Sequence, residues 1–378
     1  MTARSIFKKK KSKRLIYDPT LLFAMLSLVG LGVVMVYSAS SELSLTAHGH
    51  GYFYLKRQAV FSLIGMGAMV FCLHFPYWIY RYAVYPLLFT AIGLLVLVLL
   101  PGFGVTAGGS ARWLSIAGLQ FQPSEVARLA MVIYLAYSLT KKQDKLDGFA
   151  VGFVPHVLVL AVLAILIGLE PDFGSVAILT ALTWIMMFAG GVRIPHLLVP
   201  LPFILAGLVY FLISAPYRMA RLVSFLNPWA YAADQGYQVV HSQMAFGTGG
   251  LVGTGLGHGY QKLFFLPEPH TDFIFSVIGE EIGLVGVTII VVLYGIIIWR
   301  GIGIARNCSD SFGALVAIGL TAAMALQVCI NMGVTLGLVP PKGLPLPFLS
   351  YGGTSLVVSM ASVGILMNIG GPESVVRR

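Results

Sequence analysis

The chain has 378 residues, 58% of them hydrophobic and only 10% charged, with a formal net charge of +10. Soluble domains carry about 25% charged residues, so a sequence this apolar is excluded from the water-soluble folds and must use lipid as its solvent. The cationic excess lies beside apolar runs, where anionic head groups attract it, which argues against nucleic acid as a partner.

In chain order, residues 1–17 form a basic tail containing Lys8, Lys9, Lys10, Lys11, Lys13 and Arg14. Such a cluster places the amino terminus in the cytoplasm. Apolar runs of about 20 residues, enough to cross roughly 30 Å of hydrocarbon, follow at 18–38, 58–75, 82–100, 123–140, 149–168, 173–190, 196–214, 273–299, 311–337 and 350–370. They are too long and continuous for barrel strands, and backbone groups in lipid must be satisfied within their own segment, so each reads as a helix.

The expected fold is an all-α polytopic membrane protein with about ten transmembrane helices and both termini cytoplasmic, one domain over 18–370 with a short tail at 371–378. Counting Lys and Arg over that topology favours the inside by about two to one, as the rule requires. Ser38-Ala39-Ser40 resembles a cleavage site, but the apolar stretch before it exceeds the about 7 to 15 residues of a signal peptide and reads as an uncleaved anchor. Cys72, Cys308 and Cys329 are odd in number and show no metal spacing, so they read as packing residues.

Four connections stand out, all on the expected outer face: 102–125, 169–174, 338–353 and a long loop at 215–272 between helices 7 and 8. A loop that long is functional or disordered, and its richness in Tyr, Trp, Phe and Leu argues for short helices folded back on the membrane surface. No internal repeat of the kind common in secondary transporters is visible.

Ionisable residues at membrane depth are expensive and therefore candidates for function. Asp272, where the long loop enters the eighth span, is either a partly desolvated general base or, with Thr271, a helix cap. Glu280 and Glu281 lie two turns further on, and Arg128 is the cation that one of them, or Glu125 three residues before it, would pair with. Arg112 with Trp113, Arg218, Arg221, Lys262 and Lys342 are outward cations suited to a pyrophosphate, or else interface snorkellers. Glu170 and Asp172 flank Pro171 and are weak candidates to bind Mg²⁺ or Mn²⁺ with phosphate oxygens. The glycine run from Gly247 to Gly259 has no Walker lysine and no preceding strand, so it reads as a turn or close backbone packing, while His241, His258 and His270 lack ligand spacing.

The stretches GGSARWLSIAGLQFQPSEVARL at 108–129, EPDFGSV at 170–176, FLNPWAYAADQGYQVVHSQMAFGTGGLVGTGLG at 225–257, KLFFLPEPHTDFIFSVIGEEIGLVG at 262–286 and PPKGLPLPFLSYGGTSL at 340–356 together resemble the SEDS family of shape, elongation, division and sporulation proteins. The resemblance spans nearly the whole chain and is nearer to the division branch than to the rod-shape branch, as Pro341-Lys342-Gly343 and the basic tail suggest. It implies an inverting glycosyltransferase that polymerises lipid II, the undecaprenyl-pyrophosphate disaccharide-pentapeptide, on the outer face of the inner membrane. It also implies a class B penicillin-binding protein transpeptidase and division-complex regulators as partners. The family's essential loop aspartate corresponds to Asp272, and its cavity charges to Glu125, Arg128, Glu280 and Glu281, with Arg112 and Trp113 in the ARW stretch. Arg128 replaces a lysine common in relatives and Glu170 a glutamine. A lipid II flippase and a scaffold that only recruits the transpeptidase are the competing readings.

Overall fold

The computed structural model describes residues 17–107, 110–116, 119–214, 216–234, 236–263, 266 and 268–371; the amino-terminal tail and residues 372–378 lie outside the described residues. The order is α1 (Pro19–His48), α2 (Phe53–His74), α3 (Tyr80–Leu99), β1 (Gly104–Ala107), β2 (Ser110–Ile116), β3 (Leu119–Phe121), α4 (Pro123–Lys141), α5 (Phe149–Gly152), α6 (Val154–Leu169) and α7 (Phe173–Ala189). It continues through α8 (Ile194–Leu198), α9 (Leu201–Ile213), α10 (Pro216–Leu226), α11 (Tyr237–Gly249), α12 (Ile274–Asn307), α13 (Ser311–Thr335) and α14 (Gly353–Gly370).

Each apolar run expected to span is mainly helical, with the runs at 149–168 and 196–214 each divided between two helices, and among the described residues seven helical stretches are long and apolar enough to cross a membrane, with shorter apolar helices besides. Side chains such as Phe23, Leu63, Phe203 and Tyr210 are exposed on the outside of the bundle, while Arg128, Glu280, Glu281, Gln327 and Asn331 point inward. That inversion is what a lipid solvent selects. The helix starts are written locally: Asp18 accepts hydrogen bonds from the Thr20 and Leu21 amides ahead of Pro19, and Asp310 caps Gly313 in the same way.

Close backbone contact holds the inner helices together. At Gly364 of α14 an added Cβ would lie 2.4 Å from the Met69 carbonyl of α2, so only hydrogen fits where the two helices meet. One end of the bundle is tied by Arg300 to Asp18, Arg81 to Asp310, and Asn368 to the Leu73 carbonyl and Tyr77 amide. The other end gathers the four unusual loops.

Two features depart from the all-helical expectation. Strands β1, β2 and β3 form a three-stranded antiparallel sheet in that order, with Val105 opposite Trp113 and Leu114 opposite Phe121. Helix α12 is interrupted at Gly283, whose φ of 70° is left-handed. The glycine run fills that interruption: Thr254 and Gly255 donate to the Glu280 and Glu281 carbonyls, and Leu284 and Val285 donate to Gly250 and Leu251. The run is backbone packing against a broken helix, as non-helical backbone at membrane depth must be. The long loop itself contains α10, α11 and short 3₁₀ turns.

Candidate active site

Asp272 stands two residues before α12. That helix begins without a side-chain cap, so the capping alternative falls away, and among the described residues no hydrogen bond engages the Asp272 carboxylate. Its main chain is fixed from the other side: Asn331 of α13 donates to the Asp272 carbonyl at 3.0 Å and to the Leu344 carbonyl at 2.6 Å. The Tyr351 amide donates to His270 at 2.8 Å, locking the 338–352 segment against the entry to α12. Gly343 lies over the carboxylate, and a Cβ there would be 3.0 Å from Oδ2.

Burial, reinforced by Glu268 and Asp172 and opposed by Arg112, pushes the Asp272 carboxyl up to about 7. A carboxylate that titrates there is poised to accept a proton at neutral pH. His270, 2% exposed, is pushed down to about 4 by burial and is a neutral ring beside it, packed on Tyr54 with centroids 4.4 Å apart.

Arg112 comes from β2 and Asp172 from the start of α7, so two further loops converge on Asp272. Asp172 accepts from the Ser175 amide and hydroxyl at 3.1 and 2.6 Å and from Gln122 at 3.3 Å, which fixes the carboxylate and anchors the sheet to α7. Glu170 is 1% exposed, with neither carboxylate oxygen partnered among the described residues. Burial and then Asp172 raise it to about 8, against the pull of Arg112. Lys342, from the 338–353 loop, is lowered by burial and held up by Asp172. The result is a cluster in which the Asp272 carboxylate, free of hydrogen bonds among the described residues, stands with Arg112 and Asp172, while Asp172 in turn acts on Glu170 and Lys342. Among the described residues no group of three or more His, Cys, Asp or Glu is arranged to hold a metal ion.

The other charges separate from this cluster. Arg128 pairs with Glu125 one turn before it, 13% and 4% exposed, so neither Glu280 nor Glu281 is its partner. Glu280 instead accepts from the Tyr260 and Gln261 amides, with the shortest contact at 2.8 Å. Glu281 is bridged by Lys262 at 2.5 Å and by Ser38 of α1 at 2.7 Å. Lys262 is thereby engaged in tying the long loop to α1 and α12, away from the role of a free substrate cation. Trp113 is partly buried on β2 next to Arg112. The side chains of Arg218 and Arg221 lie outside the described residues.

Asn331, Gln122 and Gly343 are positioning groups that the sequence reading passed over. A carboxamide inside an otherwise apolar run was the available signal, since uncharged polar groups in lipid also demand partners. Gln327, one turn before Asn331, shows the same logic by donating to the Pro345 carbonyl at 2.8 Å.

Comparison with known proteins agrees with this architecture. The model of the FtsW, RodA and SpoVE family, described as cell cycle proteins, matches residues 19–374. A probable peptidoglycan glycosyltransferase FtsW of Geobacter sp. strain M18 is 43% identical over 93% of this chain and 96% of its own length. Stage V sporulation protein E of Bacillus subtilis strain 168 is 41% identical over 93% and 96%. Among solved structures, a chain of a peptidoglycan synthase complex that coordinates polymerization and crosslinking superposes with a TM-score of 0.75 at 29% identity, covering 94% of this chain and 98% of its own. The rod shape determining protein RodA of Thermus thermophilus gives 0.69 at 28% identity, over 94% and 97%. With its multi-pass helical bundle and matching loops, the chain belongs to this SEDS family, with the FtsW-like members among its relatives.

Proposed function

We propose that this chain is a peptidoglycan glycosyltransferase that polymerises lipid II into β-1,4 glycan strands on the outer face of the inner membrane during septal wall synthesis. The observation that carries the reading is the convergence of four loops on one carboxylate: Asp272, near neutrality in its titration, feels Arg112 and Asp172 from two other parts of the chain and lies under Gly343 of a third. In this reading the apolar runs make ten spans, both termini are cytoplasmic, and the Asp272 end faces outward.

Asp272 removes the proton from the attacking sugar hydroxyl as its oxygen forms the bond to the donor's anomeric carbon. The bond from that carbon to the pyrophosphate breaks on the opposite face, and the leaving group takes the electron pair. Arg112 and Lys342 supply the fixed positive charge that stabilises it. One displacement with one base inverts the α-linked donor to a β product and needs no covalent enzyme intermediate. Asp172, oriented by Ser175, would hold a divalent cation together with pyrophosphate oxygens if the reaction uses one; polymerisation with and without a chelator tests that assignment. A flippase would use free charges along the bilayer depth, whereas Arg128, Glu280 and Glu281 are each engaged within the protein.

The relation to a synthase complex supports a class B penicillin-binding protein as partner. The deciding experiment is polymerisation of purified lipid II by the chain with that transpeptidase, the partner's own crosslinking being blocked. Glycan strands that disappear with Asp272→Asn are expected. Strands unchanged by that substitution, or none from the native complex, would overturn the proposal.

A further inference from the structure

Far from Asp272, helices α3, α4 and α6 leave a cavity of about 360 Å³, a size at which pockets hold ligands, about 300 to 1,000 Å³. Leu88 and Ile92 of α3 and Leu158 and Val162 of α6 line it. Tyr85, Tyr137, Lys141 and Lys142 border the same cavity, and their places on antiparallel helices put them at one end. Helix α4 has 19 residues at about 1.5 Å each, so roughly 27 Å separates Lys141 from the Gln122 end beside Asp272. The charged mouth therefore lies on the other membrane face.

Those two lysines differ from three arginines at the same end. At this end Arg81, Arg193 and Arg300 are each paired with an aspartate, Asp310, Asp147 and Asp18. Neither Lys141 nor Lys142 has a carboxylate partner among the described residues. The Lys141 ammonium is steered by the Tyr137 hydroxyl at 3.2 Å and lies 5.3 Å from that ring's centroid. Tyr85 meets Tyr137 edge to face at 6.1 Å, an aromatic pair at head-group depth. The polar groups deeper in the wall are already used: Ser138 meets His156 at 3.0 Å and Tyr134 donates to Pro155 at 3.3 Å. The cavity is thus apolar inside and offers unneutralised ammonium groups only at its mouth.

We propose that this crevice binds one anionic glycerophospholipid from the leaflet opposite Asp272, with an acyl chain between α3 and α6 and its phosphate on Lys141 and Lys142. An acyl chain matches the lining, and a net negative head group is what two unpaired lysines select over a zwitterionic one, by roughly fivefold for each lysine near the surface.

Native mass spectrometry of the full chain, released from detergent after titration with phosphatidylglycerol or phosphatidylcholine, tests the site. One phosphatidylglycerol should be retained at least tenfold more strongly than phosphatidylcholine. The preference should vanish both in a Lys141→Gln, Lys142→Gln double variant and in a variant Val159→Trp, at a further lining residue of α6, that fills the crevice and keeps the lysines. Val162→Phe serves as the milder filling variant should the tryptophan disturb folding, as judged by lipid-free melting temperature. All variants keep the basic amino-terminal tail, so its contribution is constant. Equal retention of the two lipids overturns the proposal, as does a filled crevice that still prefers phosphatidylglycerol. A dimer that forms through this face without lipid overturns it too.

Discussion

Asparagine has the shape of aspartate but cannot ionise, so Asp272→Asn separates catalysis from the energetic cost of holding a carboxylate in this pocket. The native carboxyl titrates at about 7 against an ordinary 3.8, chiefly through burial. A shift of about 3 units corresponds to about 4 kcal/mol, at about 1.4 kcal/mol per unit. The folded protein holds this proton more tightly than the unfolded chain, so the stabilisation is full below the unfolded value and is lost as pH rises through the folded one. Between about pH 5 and pH 8 roughly two units are expressed, about 3 kcal/mol at most, and the partial exposure of Asp272 reduces this to about 1 to 2 kcal/mol. The variant lacks that loss. Thermal unfolding of both proteins in one detergent should therefore show Asp272→Asn gaining a few degrees on the native protein between about pH 5 and pH 8, while lipid II polymerisation is abolished. A stability difference that does not change with pH would refute the desolvation argument, and activity within about tenfold of native would remove Asp272 from the base role.

Because Arg112 opposes the upward shift of Asp272, Arg112→Gln should move the acid limb of the activity profile above its native midpoint near pH 7 as well as lower the rate; an unmoved midpoint would separate the two residues. Arg128→Met should destabilise the protein by about 3 to 5 kcal/mol, since it strands buried Glu125, and adding Glu125→Gln should restore part of the loss. Simple additivity in that cycle would dissolve the pair. Gly343→Val should cut polymerisation at least about tenfold with the melting temperature retained, because its first carbon already falls 3.0 Å from the Asp272 carboxylate and reactant misplacement is costly. With Cys72, Cys308 and Cys329 replaced by serine, a cysteine at exposed Asp234 should react with an impermeant thiol reagent added from outside the cell. Labelling only after the membrane is opened would invert the proposed topology.

Much of the architecture was readable from one dimension. The length of an apolar run against bilayer thickness is a local quantity, and so are the Asp18-Pro19 and Asp310 starts of α1 and α13. The glycine run was legible as close packing because it lacked the lysine of a phosphate cradle, though not as the filler of a break in α12. Asp272 was legible as a candidate from its place between loop and span, which left base and cap open. The uncapped start of α12 removed the cap, and the packing around the carboxylate, unknowable from HTDF alone, supplied the electrostatic case for the base.

What the tertiary structure alone decided was partnership. Arg128 had three carboxylates in reach of a sequence argument, and the fold chose Glu125. Lys262 read as an outward cation until Ser38, 243 residues before Glu281, was found bonded to the same carboxylate. The small three-stranded sheet was hidden because its strands, of 4, 7 and 3 residues, are too short to show a clear alternation. Hydrophobic transfer is roughly additive along a chain, so sequence reports it. A buried charge is settled by whichever opposite charge or donor comes within a few ångströms, and which one does so is a property of the folded bundle.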